Sequence, residues 1–153
     1  MEIKGMPLPS RMTEIMSRET LKRKSGFWAL RENRDAFGHP LVTELQEFYH
    51  LPGTIEQETA MLPLYYRIGG YYARSVNAAP DCAGAIPNIL DFSRILCFAV
   101  SEQGFPFCLD YRDPAEPPSV IFWDRACWRR IAPDFESFLD LFDLDAAAAS
   151  PPM

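Results

Sequence analysis

Five carboxylates, Glu102, Asp110, Asp113, Glu116 and Asp124, stand at or between the ends of three apolar runs in the back half of the chain. Acids gathered in this way could do acid–base work if two of them sat in environments that drive their pKa values apart. The other parts of such a site are missing. Ser93, Ser101 and Ser119 have no nucleophile-elbow context, and no orienting base or oxyanion motif accompanies them. The chemistry that suits these five acids is therefore recognition: they present negative charge to a basic partner, and no catalytic residue is assigned. The plain alternative is solvated loop charge.

Cofactor chemistry is equally unsupported. There is no Gly-x-Gly-x-x-Gly, no Gly-Lys-Ser/Thr phosphate loop and no Asp-x-Asp-x-Asp-Gly calcium loop. Cys82, Cys97, Cys108 and Cys127 are spaced by 15, 11 and 19 residues, and His39 and His50 lie far from them, so no zinc knuckle is expected. Cys97 and Cys108 fall inside apolar runs, where a free cysteine acts as a small buried hydrophobe, and all four are expected to be reduced structural thiols. Tyr65-Tyr66 and Tyr71-Tyr72 flank Gly69-Gly70, but only Arg67 and Arg74 lie near, so a nucleic-acid surface is not expected. These tyrosines read as packing residues or as aromatic anchors for a protein partner.

The elements that position the acids are strands. Residues 95–100, 105–110 and 120–124 are rich in aromatic and aliphatic side chains suited to a pleated surface. Ser101-Glu102-Gln103-Gly104 is a hairpin connection with Gly104 free to take a left-handed conformation. Asp113-Pro114-Ala115-Glu116-Pro117-Pro118 is an exposed turn, since proline cannot donate to a ladder. Trp128 to Ile131 predicts a short fourth strand. Pro133-Asp134 starts a helix whose Phe135, Phe138, Leu139 and Phe142 share one face, with Asp134 as N-cap. Upstream, residues 10–24 predict a helix capped by Ser10. The spacing of Leu41, Leu45 and Phe48 predicts a second over 40–49, and residues 54–62 a third, bent or restarted at Pro63. Phe27, Trp28 and Leu30 are expected to pack on the body. Residues 77–87 read as a loop.

With 153 residues, 48% of them hydrophobic, the chain is long enough for one domain with a sizeable core. No apolar run approaches the roughly 18 residues that span a bilayer, and Met1-Glu2-Ile3-Lys4-Gly5 opens no signal-like apolar segment, so a cytoplasmic location without membrane contact is expected. Charge is unevenly spread. Residues 1–34 hold eight basic and four acidic groups, a surplus of four, so the net −6 leaves −10 on the remainder. An acidic body repels nucleic acid and steers a basic partner, although simple solubility would also explain it.

In order, Ile89-Leu90-Asp91-Phe92, Glu102-Gln103-Gly104, Phe107-Cys108-Leu109-Asp110, Val120-Ile121-Phe122-Trp123-Asp124 and Ile131-Ala132-Pro133-Asp134-Phe135-Glu136-Ser137-Phe138-Leu139 resemble the SUKH superfamily, the Smi/Knr-type domains. Leu51-Pro52 through Gly69-Gly70 is similar to the family's front half, from which Pro63 and residues 71–87 depart. The resemblance implies an α+β fold, a single domain with an antiparallel β-sheet flanked by helices, over 36–144. Residues 1–35 would then be a helical N-terminal extension and 145–153 a disordered tail. It also implies a non-enzymatic immunity protein that neutralises a cognate toxin domain, basic and often a nuclease, with no cofactor or metal. A regulatory scaffold or small-ligand-binding domain unrelated to toxins is the alternative.

Overall fold

Strands that are apolar at every position need cover on both faces, and that requirement organises the fold. The computed structural model describes residues 1–17, 28–67, 83–125 and 127–142. In it β1 (Glu2–Ile3) and β2 (Met6–Pro7) form a small antiparallel ribbon. A six-stranded antiparallel sheet runs β3 (Trp28–Ala29), β4 (Glu44–Phe48), β5 (Ile95–Ser101), β6 (Pro106–Asp110), β7 (Ser119–Trp123), β8 (Trp128–Ala132) in spatial as well as chain order. Three helices complete the described elements: α1 (Ser10–Met16), α2 (Pro52–Tyr65) and α3 (Phe135–Phe142). This is the expected single-domain α+β architecture, with every strand of β6 and β7 buried along its whole length.

Neighbouring residues on a strand point to opposite faces, so each face can be read from its aromatics. Phe122 stacks on Phe107 with ring centroids 4.4 Å apart, and Phe107 meets Phe138 and Phe142 of α3. Phe98 and Phe48 close the same layer against Phe135. Next along the chain, Trp123 turns to the other face, where it packs with Trp128 and with Tyr66 at the end of α2. There the Thr59 hydroxyl of α2 accepts the Cys97 N–H at 2.9 Å, which supplies a partner just beyond the end of β4. Ile3, Met6, Met12, Ile15 and Met16 are buried in the same core, and α1 contacts α3. Trp28 and Leu30 are buried, as their composition suggested.

The β8 edge is covered rather than open, which blunts its capacity to pair with another chain. The Ile86 N–H donates to Trp128, Arg130 donates to Gly84, and Ala36 donates to Ile131. Gly84 needs its glycine: φ is +74°, and a Cβ there would stand 3.2 Å from the Arg130 carbonyl oxygen. At the β5–β6 turn Gly104 takes φ +88° and donates to the Ser101 carbonyl, which makes the expected hairpin.

Several local expectations are corrected. The helix expected over 40–49 is instead strand β4, paired with β5 through Leu45↔Ser101 and Phe48↔Ala99. A register shift between Leu45 and Glu47 puts Leu45 and Phe48, three residues apart, on the buried side, which imitates helical spacing. Helix α2 passes through Pro63, because in the last turn a missing N–H forfeits one bond only. Ser10 is the first residue of α1 and makes no capping bond; Pro9 holds the cap position. Asp134 does cap α3, with its Oδ1 accepting the Ser137 N–H at 2.8 Å. Cys97 and Cys108 are free and buried, whereas Cys127 is disulfide-bonded, contrary to the expectation of four reduced thiols. Cys82, the later part of the helix expected over 10–24, Phe27, Tyr71, Tyr72, most of the 77–87 loop and the tail lie outside the described residues.

Candidate functional site

The five acids do not form one patch. The ladder pairs Val100 with Pro106 at one end of β6 and Ile95 with Asp110 at the other, and Asp110 opposes Ser119. Glu102 and the residue after Trp123, Asp124, therefore lie towards one end of the sheet. Asp110 and the 113–118 turn lie towards the other, about 14 Å away along a five-residue strand.

Each acid has a distinct task. The Glu102 Oε2 accepts the Glu44 N–H at 2.8 Å, which ties the hairpin turn to the start of β4. Asp110 is buried and grips Arg112 in a two-pronged bond, accepting Nε at 2.9 Å and Nη2 at 2.8 Å, and it takes the Arg112 N–H as well. That hydrogen bonding pushes the Arg112 guanidinium pKa up from its ordinary value. Asp113 accepts the Ala115 N–H at 3.0 Å and so shapes its own turn. Glu116 is exposed, and its carboxylate makes no side-chain bond or ion pair among the described residues. Asp124 accepts Arg129 Nη1 at 2.8 Å.

Arg129 is the residue that inspection of the sequence missed. Its side chain is 3% exposed, and its second nitrogen, Nη2, donates to Asp35 at 2.8 Å. Asp35, whose side chain is fully buried, also accepts the N–H groups of Phe37 and His39 through Oδ1. The sequence offers no way to choose this arginine: Arg129 and Arg130 stand side by side between Trp128 and Ile131, and only the first is buried in the fold, where a buried charge requires partners. Their identity, 94 residues away in one case, had no local trace.

Two grooves meet at the 113–118 turn. One, about 650 Å³, runs between the Pro7–Arg11 segment, the prolines of the turn and the start of α3. Tyr111 lines it and donates its hydroxyl to the Pro7 carbonyl at 2.6 Å; burial pushes this phenol's pKa well above its ordinary value. Asp113, Glu116, Asp134 and Glu136 give it acid, against Arg11 and Arg94. The other groove, about 460 Å³, takes in Asp110, Arg112, Arg130 and the exposed Phe37. Asp113 and Glu116 line both. Asp110 and Asp124 are thus neutralised internally, Glu102 and Asp113 are engaged with backbone, and Glu116 is the most available of the five.

Of the aromatic anchors, Tyr65 is 37% exposed, while Tyr66 is core, its ring 5.4 Å from Trp123 and 5.7 Å from Trp128. Among the described residues no helix is long and apolar enough to cross a membrane.

Comparison with known proteins places this geometry. No curated protein and no solved structure matches the sequence. The model of the SMI1 / KNR4 family (SUKH-1) matches residues 3–141, which takes in all but the first residue of the N-terminal ribbon, the whole six-stranded sheet and nearly all of α3. On a match of that extent, the chain belongs to the SMI1 / KNR4 family (SUKH-1).

Proposed function

We propose that this chain is a cytoplasmic immunity protein that binds and neutralises a cognate toxin domain of a polymorphic or contact-dependent system, by contact rather than catalysis. Family membership supports this reading, since the SUKH resemblance implies an immunity role for most members and a regulatory scaffold role for some. The observation that carries the site is the larger groove, an apolar, proline-walled cleft with Asp113, Glu116, Asp134 and Glu136 along it. Acids at a rim steer a basic partner and set its orientation, while the apolar walls supply contact area. Glu102 contributes through the field of the acidic body, while Asp110 and Asp124, each paired with an arginine, are not direct contacts.

The test is a binding measurement against the toxin domain encoded beside this chain, with the Asp113→Lys/Glu116→Lys double variant. Expected is a loss of about tenfold in affinity, mostly in association rate and steeper at low salt. Undiminished binding by the variant removes the groove from the interface. A groove of 650 Å³ is also within the size range of small-molecule sites. That supports a second reading, a regulatory or ligand-binding domain, which failure to bind any neighbouring toxin would favour.

A further inference from the structure

A third concavity, of about 410 Å³, opens on the other side of the sheet, between the last two turns of α2 and the β5–β6 hairpin. Tyr49, Tyr65 and Tyr66 line it together with Glu58, Met61 and Val100. The Tyr65 and Tyr66 rings lie 6.2 Å apart and are tilted by 58°, so they form two walls at an angle. No lysine, arginine or histidine lines it among the described residues. Three further observations give the concavity a sign. The last turn of α2 carries no basic residue, so the negative end of the helix dipole there is uncompensated from within the helix. Arg67, which follows the helix, donates Nε to the Leu90 carbonyl and lines a different hollow. Burial raises the Tyr49 phenol's pKa, and Glu58 and Glu47 lie close enough to raise it further.

We propose that this tyrosine-walled pocket is a receptor for an arginine side chain of the protein partner, with the guanidinium over the Tyr65 ring and paired with Glu58. Aromatic faces attract a cation within about 6 Å of the ring centre, and a planar guanidinium can stack on a ring while offering two parallel donors to one carboxylate. An ammonium can do only part of this, so arginine is preferred over lysine. This rests on the partner-binding reading and adds to it the residue that anchors the partner, at a place remote from the 113–118 groove.

The experiment does not need the toxin. The full chain, labelled with ¹⁵N, is titrated with N-acetyl-arginine methylamide, with the matching lysine compound and with the neutral citrulline compound. Expected are saturable shifts of the Met61, Tyr65 and Gly104 amides by the arginine compound, with a dissociation constant on the order of 1–10 mM. The lysine compound should bind about threefold more weakly and citrulline at least about fivefold more weakly. Glu58→Gln and, separately, Tyr65→Ala each weaken arginine binding about fivefold while the spectrum stays dispersed; both side chains are exposed, so the fold is retained. Shifts confined to the 113–118 turn, equal response to arginine and citrulline, or no saturable shift at all overturns the proposal. None of these would touch the groove, whose own test is toxin binding by the charge-reversed variant.

Discussion

Replacing Arg129 by methionine is the sharpest test of how this fold is held. The side chain is 3% exposed and links two carboxylates, Asp35 on the 31–41 segment and Asp124 after β7, each through a 2.8 Å bond. Methionine keeps most of the stem's packing but removes both charge-assisted bonds. Asp124 is 23% exposed and can recruit water, so its loss is small, about 1 kcal/mol. Asp35 cannot: its side chain is fully buried, and it is left with only the N–H groups of Phe37 and His39 and with His39 Nδ1 at 3.6 Å. Stranding one partner of a buried pair costs about 3–5 kcal/mol, a large share of the roughly 5–15 kcal/mol that holds a domain together. Arg129→Met should therefore lower stability by about 4 kcal/mol, and Asp124→Asn by about 1 kcal/mol. Asp35→Ala should cost about 3 kcal/mol, and the double variant Asp35→Ala/Arg129→Met should cost about 2 kcal/mol less than the two singles together. Urea unfolding followed by the fluorescence of Trp123 and Trp128, both buried and 5.5 Å apart, reads these values at unchanged slope. A cost under about 1 kcal/mol for Arg129→Met, or strictly additive singles, would refute the reasoning, since either result means Asp35 does not depend on Arg129.

Two further outcomes follow from buried groups. Thr59→Val keeps the shape of the side chain but strands the Cys97 N–H, so stability should fall by about 1–3 kcal/mol in the same assay, and a neutral result would mean that another acceptor takes over. Burial raises the Tyr49 and Tyr111 phenols above their ordinary value in the folded chain. A group whose pKa is raised on folding contributes stability that is complete below its unfolded pKa, near 10, and is lost as pH climbs above that point. Stability should thus hold up to about pH 9 and fall by about 2 kcal/mol between pH 10 and 11 for the pair. Phenylalanine at both positions should flatten that decline, and an unchanged slope in the double variant would remove these tyrosines as its cause.

The family order and the back half of the fold were legible because they are local. Continuous apolar runs told of strands, though not that both of their faces are covered, and α3 announced itself through Asp134 and the Phe135–Phe142 stripe. Leu41, Leu45 and Phe48 misled for the converse reason: a bulge reproduces helical spacing, and only the presence of β5 as a pairing partner decides between the two. The five acids were visible as residue types, yet their availability was not. Whether Asp110 and Asp124 face a partner or an arginine depends on Arg112 and Arg129, and so on strand register.

Residue order alone determined the antiparallel hairpins, the capped aromatic helix and the acidic balance of this protein, since turn chemistry, periodicity and charge are written within a few consecutive positions. The folded chain decided which charges remain outward, where the tyrosines and Glu58 converge, and that Asp35 and Arg129 must be buried together. These are matters of distance between residues far apart along the backbone, and such distances exist only once the sheet has closed on its helices.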